Sequence, residues 1–265
     1  MEGSYALGII FKDHPDELYA VRKDSPLIVG HTEGGSIIAS DVPAVLKYTR
    51  DVYFIENEEI VRLKRDSMDF FNVDEEPIEK SSVRIEWDVN AAEKGGYEHF
   101  MLKEMNEQPK AVLDTLSPRI KNGKIVIEEL GMSDEDIRKI DKIMIVACGS
   151  AYHTGVTSKY IFEDLARIPV EVDLASEFRY RRPILNDRTL VVVISQSGET
   201  ADTLAALRES KEQGARVLGI VNVVGSSIAR EADNVMYTWA GPEIAVATTK
   251  AYSAQLAALY LLAIK

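Results

Sequence analysis

One segment has the residue types best suited to binding a ligand or to chemistry: three hydroxyl side chains, a carboxamide and a glycine. It is Ser195-Gln196-Ser197-Gly198-Glu199-Thr200. It follows an apolar run of five residues, 190–194, and precedes a helical pattern that includes Thr203 and Leu204. A short, β-branched apolar run is typical of a buried parallel strand, so we predict a strand, a loop and a helix in that order.

This loop is open to two interpretations. In an open α/β sheet it lies at the carboxyl end of a strand, where the free N–H groups of a helix N-terminus bind anions such as phosphate. The alternative is a polar strand-to-helix turn in which Thr200 caps the helix. Local chemistry alone supports both hypotheses equally.

Two further segments have comparable chemistry. The first is Cys148-Gly149-Ser150-Ala151-Tyr152-His153-Thr154-Gly155, and the second is Glu243-Ile244-Ala245-Val246-Ala247-Thr248-Thr249-Lys250. The first follows an apolar run at 143–147, and the second opens the last helical pattern. Because the first and third strands of a doubly wound sheet are often neighbours, we expect the loops after residues 147 and 194 to face one crevice.

From Asp141 onward, strand and helix patterns alternate. The strands are predicted at 143–147, 170–174, 190–194, 217–221 and 235–239. Helical patterns include 160–165, 200–213 and 248–265, with Gly214 after the second as its C′ residue. This alternation predicts a parallel sheet covered on both faces. The last pattern reaches Lys265 without a closing signal, which predicts a segment of a longer protein.

The first 80 residues have short strand patterns separated by turns. The predicted strands are 5–11, 18–22, 27–29, 36–39, 52–55 and 60–63. A helix at 42–46 is predicted to be capped by Ser40-Asp41, with Pro43 in its first turn. Short strands joined by turns predict an antiparallel sheet. A charged stretch, 74–94, predicts a surface segment or linker, and the helix after it, at 97–109, is predicted to end near Pro109.

Composition excludes several classes of protein. The chain has 265 residues, enough for about one or two domains, and a formal net charge of −12. That charge and a short basic cluster at 179–182 argue against nucleic-acid binding. One cysteine excludes an internal disulfide framework, and four histidines show no metal-ligand spacing. No apolar run reaches the ~20 residues of a membrane helix. We expect a cytoplasmic protein with no membrane contact.

Four motifs, in order along the chain, carry a resemblance to a known family. They are Cys148-Gly149-Ser150, Ala175-Ser176-Glu177-Phe178-Arg179-Tyr180-Arg181, Ser195-Gln196-Ser197-Gly198-Glu199-Thr200-Ala201-Asp202-Thr203 and Glu243-Ile244-Ala245-Val246-Ala247-Thr248-Thr249-Lys250-Ala251. They resemble the sugar isomerase (SIS) domain, a flavodoxin-like phosphosugar-binding fold. Two upstream motifs, Glu107-Gln108-Pro109 and Ala39-Ser40-Asp41, extend the resemblance to the whole chain. Over this length it resembles the isomerising glutamine:fructose-6-phosphate aminotransferase family.

The resemblance implies a fold class and a domain order. It implies an α/β, doubly wound, parallel-sheet SIS domain preceded by the strand-rich C-terminal part of an N-terminal-nucleophile glutaminase domain, which is α+β. The implied ranges are 1–80 for the glutaminase part, 81–110 for a linker and helix, and 111–265 for the first SIS domain, truncated in its last helix.

The resemblance also implies the site residues. Ser195, Gln196, Ser197 and Thr200 are expected to hold the phosphate of fructose 6-phosphate. Six further positions are expected to face the sugar or line the pocket: Cys148, Gly149, Ser150, Ala151, Val246 and Thr248. The family often has a serine where this chain has Ala151, which implies a modest change in sugar contacts.

The parent enzyme is expected to convert fructose 6-phosphate and glutamine to glucosamine 6-phosphate and glutamate, and to be a homodimer without a cofactor or metal. No catalytic residue is expected in this chain. The family's nucleophilic cysteine lies earlier, and its Schiff-base lysine, isomerase base and ring-opening histidine lie later. The isolated chain is therefore not expected to be fully active. Alternatives are a non-catalytic phosphosugar-binding SIS module and a deglycase-like relative.

Several residues have a structural alternative. Cys148 is predicted to be a packed thiol rather than a nucleophile. Glu199 is either a catalytic carboxylate or a first-turn acid that favours the helix dipole. The arginines at 179, 181 and 182 either steer an anionic substrate or form ion pairs and subunit contacts. Trp87 and Trp239 are predicted to be core or interface residues.

Overall fold

The computed structural model describes residues 1–86 and 93–265. Trp87, and with it part of the predicted charged linker, lies outside the described residues. The chain divides into two compact units, Met1–Glu93 and Lys94–Lys265. Each is described by itself.

The first unit consists of short strands and one short helix. In chain order they are β1 (Tyr5–Phe11), β2 (His14–Lys23), β3 (Ile28–Thr32), β4 (Gly35–Ala39), α1 (Val42–Val45), β5 (Asp51–Phe54), β6 (Glu59–Leu63), β7 (Met68–Asn72) and β8 (Val83–Arg84). All six strands predicted from the sequence are present, and β7 and β8 are additional.

These strands form two antiparallel, four-stranded sheets, with the orders β1-β2-β6-β7 and β4-β3-β5-β8. Their buried apolar side chains share one core, which includes Ala20, Val29, Ile55, Val61 and Leu63. The predicted cap of α1 is confirmed, because the Asp41 carboxylate accepts a hydrogen bond from the Ala44 N–H at 3.2 Å and Pro43 lies in the first turn.

The second unit alternates strands and helices. Before its main sheet come α2 (Phe100–Leu116), the two-residue strands β9 (Ile120–Lys121) and β10 (Lys124–Ile125), and α3 (Asp134–Lys139). The main elements follow as β11 (Lys142–Ala147), α4 (Gly149–Leu165), β12 (Val170–Leu174), α5 (Ala175–Arg181), β13 (Thr189–Ser195), α6 (Ala201–Glu212), β14 (Arg216–Val221), α7 (Ser227–Glu231), β15 (Asn234–Tyr237) and α8 (Lys250–Ile264).

The five main strands form one parallel sheet in the order β12-β11-β13-β14-β15. The strand order therefore reverses between β11 and β13, which are neighbouring parallel strands as predicted. Side chains of α4 and α8 pack on one face of the sheet, and those of α5, α6 and α7 pack on the other. The predicted parallel sheet with two covered faces is confirmed.

The central strands are buried on both faces. In β11, Ile143, Ile145 and Ala147 contribute to the core under α4 and α8, whereas Met144 and Val146 contribute to the core under α5 and α6. This is why the strand is a continuous apolar run rather than an alternating one.

The prediction that the helix at 97–109 ends near Pro109 is wrong. Helix α2 continues through Pro109 to Leu116. A proline inside a helix leaves the carbonyl four residues earlier without its usual N–H donor. The side-chain amide of Gln108 donates instead to the Met105 carbonyl at 3.1 Å. A local substitute for the missing donor thus accompanies the continuous helix.

Trp239 is not a core residue. It follows β15 with a positive φ of 53° and is 43% exposed, and its ring lies 5.3 Å from that of Tyr237. The alternative, that Trp239 is an interface residue, stays a prediction.

Candidate functional site

A cavity of about 290 Å³ lies at the carboxyl ends of the parallel strands. All ten predicted site residues line it: Cys148, Gly149, Ser150, Ala151, Ser195, Gln196, Ser197, Thr200, Val246 and Thr248. The fold thus brings together three segments that are far apart in sequence. Four further residues line the same cavity and were not predicted: Ile194, Glu243, Ala245 and Gln255.

Ser195, the last residue of β13, fixes the shape of the loop that follows. Its hydroxyl oxygen accepts a hydrogen bond from the Gly198 N–H at 3.0 Å and lies 2.9 Å from the Thr200 hydroxyl. Ser195 is only 3% exposed. Because its hydroxyl is already engaged within the loop, the side chain holds the turn in place, while Ser197 and Thr200 stay half-buried at the cavity.

Gly198 is required at the tip of this turn for two reasons. Its φ of +68° is a left-handed conformation that strains residues with a side chain. A Cβ atom at this position would also lie 2.0 Å from the Ser226 hydroxyl oxygen. The loop therefore packs so closely on the segment before α7 that no larger residue fits.

Glu199 has a different role from either predicted one. Its carboxylate accepts hydrogen bonds from the Ser227 N–H at 2.7 Å and from the Ser227 hydroxyl at 2.8 Å. Ser227 is the first residue of α7, so Glu199 caps that helix. Glu199 precedes the Thr200 N-cap of α6, so it is not a first-turn acid of that helix.

Two long helices begin at the cavity. Helix α4 starts at Gly149 after the N-cap residue Cys148, and α6 starts at Ala201 after the N-cap residue Thr200. Neither N-cap side chain hydrogen-bonds its helix. The hypothesis that the Thr200 hydroxyl caps α6 is therefore wrong, because that hydroxyl pairs with Ser195. Uncapped first-turn N–H groups, together with the helix dipoles, favour an anion at this position.

The third wall of the cavity is the segment before α8, and Glu243 organises it. One carboxylate oxygen accepts the N–H groups of Thr249 at 2.9 Å and Ala251 at 3.2 Å, and the other accepts the Thr248 hydroxyl at 2.5 Å. Glu243 thus caps α8 from seven residues upstream of the helix. Its two oxygens are occupied by these bonds, so they fix the wall rather than offer a free base.

Helix α2 holds the same wall from outside. Glu104, which is 2% exposed, accepts the Ile244 and Ala245 N–H groups through one oxygen, at 2.7 and 3.1 Å. Lys250, also 2% exposed, donates to the Glu107 carboxylate at 2.7 Å. Glu104 and Lys250 are buried and bond across the interface of α2 with the segment at 243–250, which positions the wall, although the second Glu104 carboxylate oxygen has no hydrogen-bond partner.

The cavity lining is almost uncharged. Glu243 is the one ionisable carboxylate among the described lining residues, and no lysine, arginine or histidine lies among them. Neutral hydroxyls, a carboxamide and helix N-termini are a sufficient set of donors for a phosphate group. The arrangement therefore suits a phosphorylated, polar small molecule.

Two of the basic residues near the site form ion pairs. The Arg179 guanidinium lies 2.8 Å from the Asp202 carboxylate, and Arg181 pairs with Asp173. These contacts favour the structural interpretation of both arginines. The Cys148 thiol is half-buried, and its sulfur accepts a contact from the Thr203 hydroxyl at 3.8 Å.

Neither a metal site nor a membrane helix is found in the part of the chain that the structure describes. Residues 1–86 and 93–265 contain no group of three or more histidine, cysteine, aspartate or glutamate residues arranged to hold a metal ion. Within the same residues, every helix is too short or too polar to cross a membrane.

The family comparison agrees with this geometry. Residues 136–265 match the SIS domain family. A solved structure is also similar to this chain, the C-terminal domain of glucosamine-fructose-6-phosphate aminotransferase from Francisella tularensis. The two superpose with a TM-score of 0.61 and are 46% identical in sequence. The match covers 64% of this chain and 48% of that one. The fold and the cavity therefore define the parallel-sheet unit as a SIS domain.

Relatives extend over the whole chain. It is 62% identical over 265 residues to a glutamine–fructose-6-phosphate aminotransferase (isomerizing) of Caldanaerobacter subterraneus subsp. tengcongensis, and 62% identical over 263 residues to that of Clostridium acetobutylicum. The chain belongs to this family. It spans 44% and 43% of the length of these two relatives.

Proposed function

We propose that this chain is the phosphosugar-binding part of an isomerising glutamine:fructose-6-phosphate aminotransferase. The complete enzyme converts fructose 6-phosphate and glutamine to glucosamine 6-phosphate and glutamate, in amino-sugar biosynthesis. The observation that carries the proposal is the cavity between the N-termini of α4 and α6, which is lined by the hydroxyl-rich loop after β13.

The phosphate lies at the loop after β13. The Ser197 and Thr200 hydroxyls and the first-turn N–H groups of α6 donate to its oxygens, and the Gln196 amide adds a further donor. Ser195 keeps the loop in shape through Gly198. This assignment needs no lysine, because a helix N-terminus already carries partial positive charge.

The sugar lies toward the other two walls. Gly149 and Ser150, with the backbone of Cys148 and Ala151, face it from the start of α4, and Val246 and Thr248 face it from the segment before α8. Ala151 presents only a methyl group, so its side chain contributes no hydroxyl contact to the sugar.

The chain supplies binding groups rather than the catalytic groups of the reaction. Two residues near the cavity have the right chemistry for catalysis but are engaged elsewhere. Lys250 is 2% exposed and paired with Glu107, and Glu243 caps α8 through one carboxylate oxygen and accepts the Thr248 hydroxyl through the other. We assign the amine, the isomerase base and the glutaminase nucleophile to other parts of the enzyme.

The proposed domain order follows the family. Residues 1–80 are the C-terminal part of the glutaminase domain, 81–110 the linker and its helix, and 111–265 the first SIS domain. The two antiparallel sheets of the first unit and the parallel sheet of the second support this order. Glutamine is the second substrate of the complete enzyme, which we propose to be a cytoplasmic homodimer.

Calorimetric titration of the 265-residue chain with fructose 6-phosphate tests the proposal, with fructose and inorganic phosphate as comparisons. Fructose 6-phosphate is expected to bind and fructose is not. Ser197→Ala and Thr200→Ala are expected to lower the affinities for both fructose 6-phosphate and phosphate. Thr157→Ala is the matched control, because this exposed hydroxyl on α4 bonds only to the His153 carbonyl of its own helix. A folded chain that binds neither anion contradicts the proposal.

A further inference from the structure

Gln255 is a polar side chain in the cavity that the site described so far does not use. It lies in the second turn of α8, it lines the cavity, and it is only 3% exposed. No hydrogen bond joins its carboxamide to another described residue, and its polar atoms are not among the fully enclosed ones without a partner, so they are open to the cavity. Ser195, a lining residue of the same low exposure, is already bonded to Gly198, and the half-buried Glu243 caps α8.

The surroundings of Gln255 are apolar. The neighbouring buried positions of α8 are Ala251, Ala254, Ala258 and Leu259. On the sheet side, the lining residues Ala151 and Ile194 belong to the hydrophobic core under α4 and α8. None of these side chains can accept or donate a hydrogen bond. A carboxamide that borders a cavity and bonds to no protein group has its donors and its acceptor available to a partner that enters the cavity.

The chemistry of a carboxamide selects the kind of partner. It offers two N–H donors and one carbonyl acceptor side by side. A sugar hydroxyl is both donor and acceptor, so it can bond with either end. A phosphate dianion only accepts, so it can use the N–H donors of a carboxamide but leaves the carbonyl acceptor without a partner. The side chain is therefore better matched to the sugar than to the phosphate.

The position of Gln255 is consistent with this division. The phosphate donors come from the loop after β13 and the start of α6, whereas Gln255 comes from α8, on the wall that also contributes Val246 and Thr248. We propose that Gln255 is a specificity-determining residue that hydrogen-bonds the sugar part of the phosphosugar. This inference rests on the proposed function of the cavity and adds to it a residue that distinguishes the sugar from phosphate alone.

The best test separates binding from folding. Gln255→Met keeps an unbranched side chain of similar length and removes both the donors and the acceptor. Because the wild-type carboxamide has no partner in the protein, the variant is expected to be at least as heat-resistant as the wild type. Its affinity for fructose 6-phosphate is expected to fall about tenfold, the usual effect of one lost hydrogen bond. Its affinity for inorganic phosphate is expected not to change.

The matched control is Gln213→Met, the same chemical change at the C-cap of α6, where Gln213 bonds to Glu209. It is expected to leave the affinities for both ligands unchanged. If Gln255→Met does not fold, Gln255→Ala is measured in its place with the same expected pattern of affinities. All titrations use the full 265-residue chain.

The outcomes are distinguishable. Unchanged fructose 6-phosphate affinity in Gln255→Met, while Ser197→Ala loses it, overturns the inference and leaves the proposed function intact. An equal loss of fructose 6-phosphate and phosphate affinity, with a lower melting temperature, assigns Gln255 a structural role and also overturns it. A wild-type chain that is folded and binds neither ligand overturns the proposed function itself.

Discussion

The Glu104 carboxylate and the Ile244 N–H group are 2.7 Å apart, although 140 residues separate them in the sequence. The contact joins the middle of α2 to the segment that forms the third wall of the cavity. Because Glu104 is buried, this bond is shielded from water and has a well-defined geometry. Helix α2 thus helps to set the shape of the cavity.

Glu104→Ala is expected to lower the free energy of unfolding by about 2 kcal/mol, because it leaves buried N–H groups without an acceptor. It is also expected to weaken binding of fructose 6-phosphate, since the wall at 243–250 loses its support. Denaturant unfolding and calorimetric titration measure the two effects. Glu98→Ala, which removes an exposed carboxylate, is the control. Equal unfolding energies for the two variants would show that the contact does not hold the wall.

Gly198→Ala and Gly214→Ala separate backbone strain from steric clash. Both glycines have positive φ, +68° and +82°, but only at Gly198 would a Cβ meet another atom, the Ser226 hydroxyl oxygen. Gly214→Ala is expected to cost about 1 kcal/mol through strain alone. Gly198→Ala is expected to cost clearly more and to abolish phosphosugar binding. Thermal unfolding of both variants tests this, and similar melting temperatures would refute the close packing.

Ser195→Ala is expected to lower mainly the stability of the fold, whereas Ser197→Ala is expected to lower mainly the affinity for the ligand. Ser195→Ala removes the acceptor of the buried Gly198 N–H, so it is expected to cost about 1–3 kcal/mol of stability. Ser197 is half-buried at the cavity and its hydroxyl accepts a longer hydrogen bond, 3.2 Å from the Glu199 N–H, so its loss is expected to lower ligand affinity with a smaller change in stability. Unfolding curves with and without fructose 6-phosphate measure both. A Ser197→Ala variant destabilised as much as Ser195→Ala would contradict this division.

Pro109→Ala is expected to stabilise the chain, by up to about 3 kcal/mol, because alanine restores the N–H donor inside α2. The gain is reduced to the extent that the Gln108 amide already serves the Met105 carbonyl. Pro109→Ala is therefore expected to raise the free energy of unfolding more in the Gln108→Ala background than in the wild type. A loss of stability in Pro109→Ala would mean that the proline ring itself contributes to packing.

A pH effect is expected from Glu171. The hydrogen bond from Lys142 holds the pKa of this carboxyl below its usual value. A lowered folded-state pKa means that the pair stabilises the fold above the unfolded pKa of about 4.3, and that this contribution is lost as the pH falls through the folded value. The effect is small because the side chain is 53% exposed. The melting temperatures of wild type and Glu171→Gln are expected to differ slightly at pH 7 and to converge below pH ~4.

The elements around the cavity were predictable because their signals are local. A five-residue apolar run followed by hydroxyls identified β13 and its loop, and the loops after β11 and β13 converge as the strand pattern implied. Side-chain partners were not predictable. The bond of Glu199 to α7 depends on a contact across 28 residues, and the support of the third wall by Glu104 depends on one across 140.

Other differences have equally specific causes. Pro109 is a strong helix-ending signal, but it does not interrupt α2, and the Gln108 side chain replaces the missing donor. Gln255 was missed because a single glutamine in an alanine- and leucine-rich helix gives no sign of which face it occupies. Only the packing of α8 against the sheet places it at the cavity.

The three walls of the cavity begin near residues 148, 195 and 243, so an unfolded chain has no site at all. A ligand that binds only the native state shifts the folding equilibrium toward it, by about 2.7 kcal/mol when its concentration is a hundred times its Kd. The chain's resistance to a protease therefore rises with the concentration of whatever phosphosugar it binds. Digestion rate across a series of sugar phosphates thus ranks them by affinity.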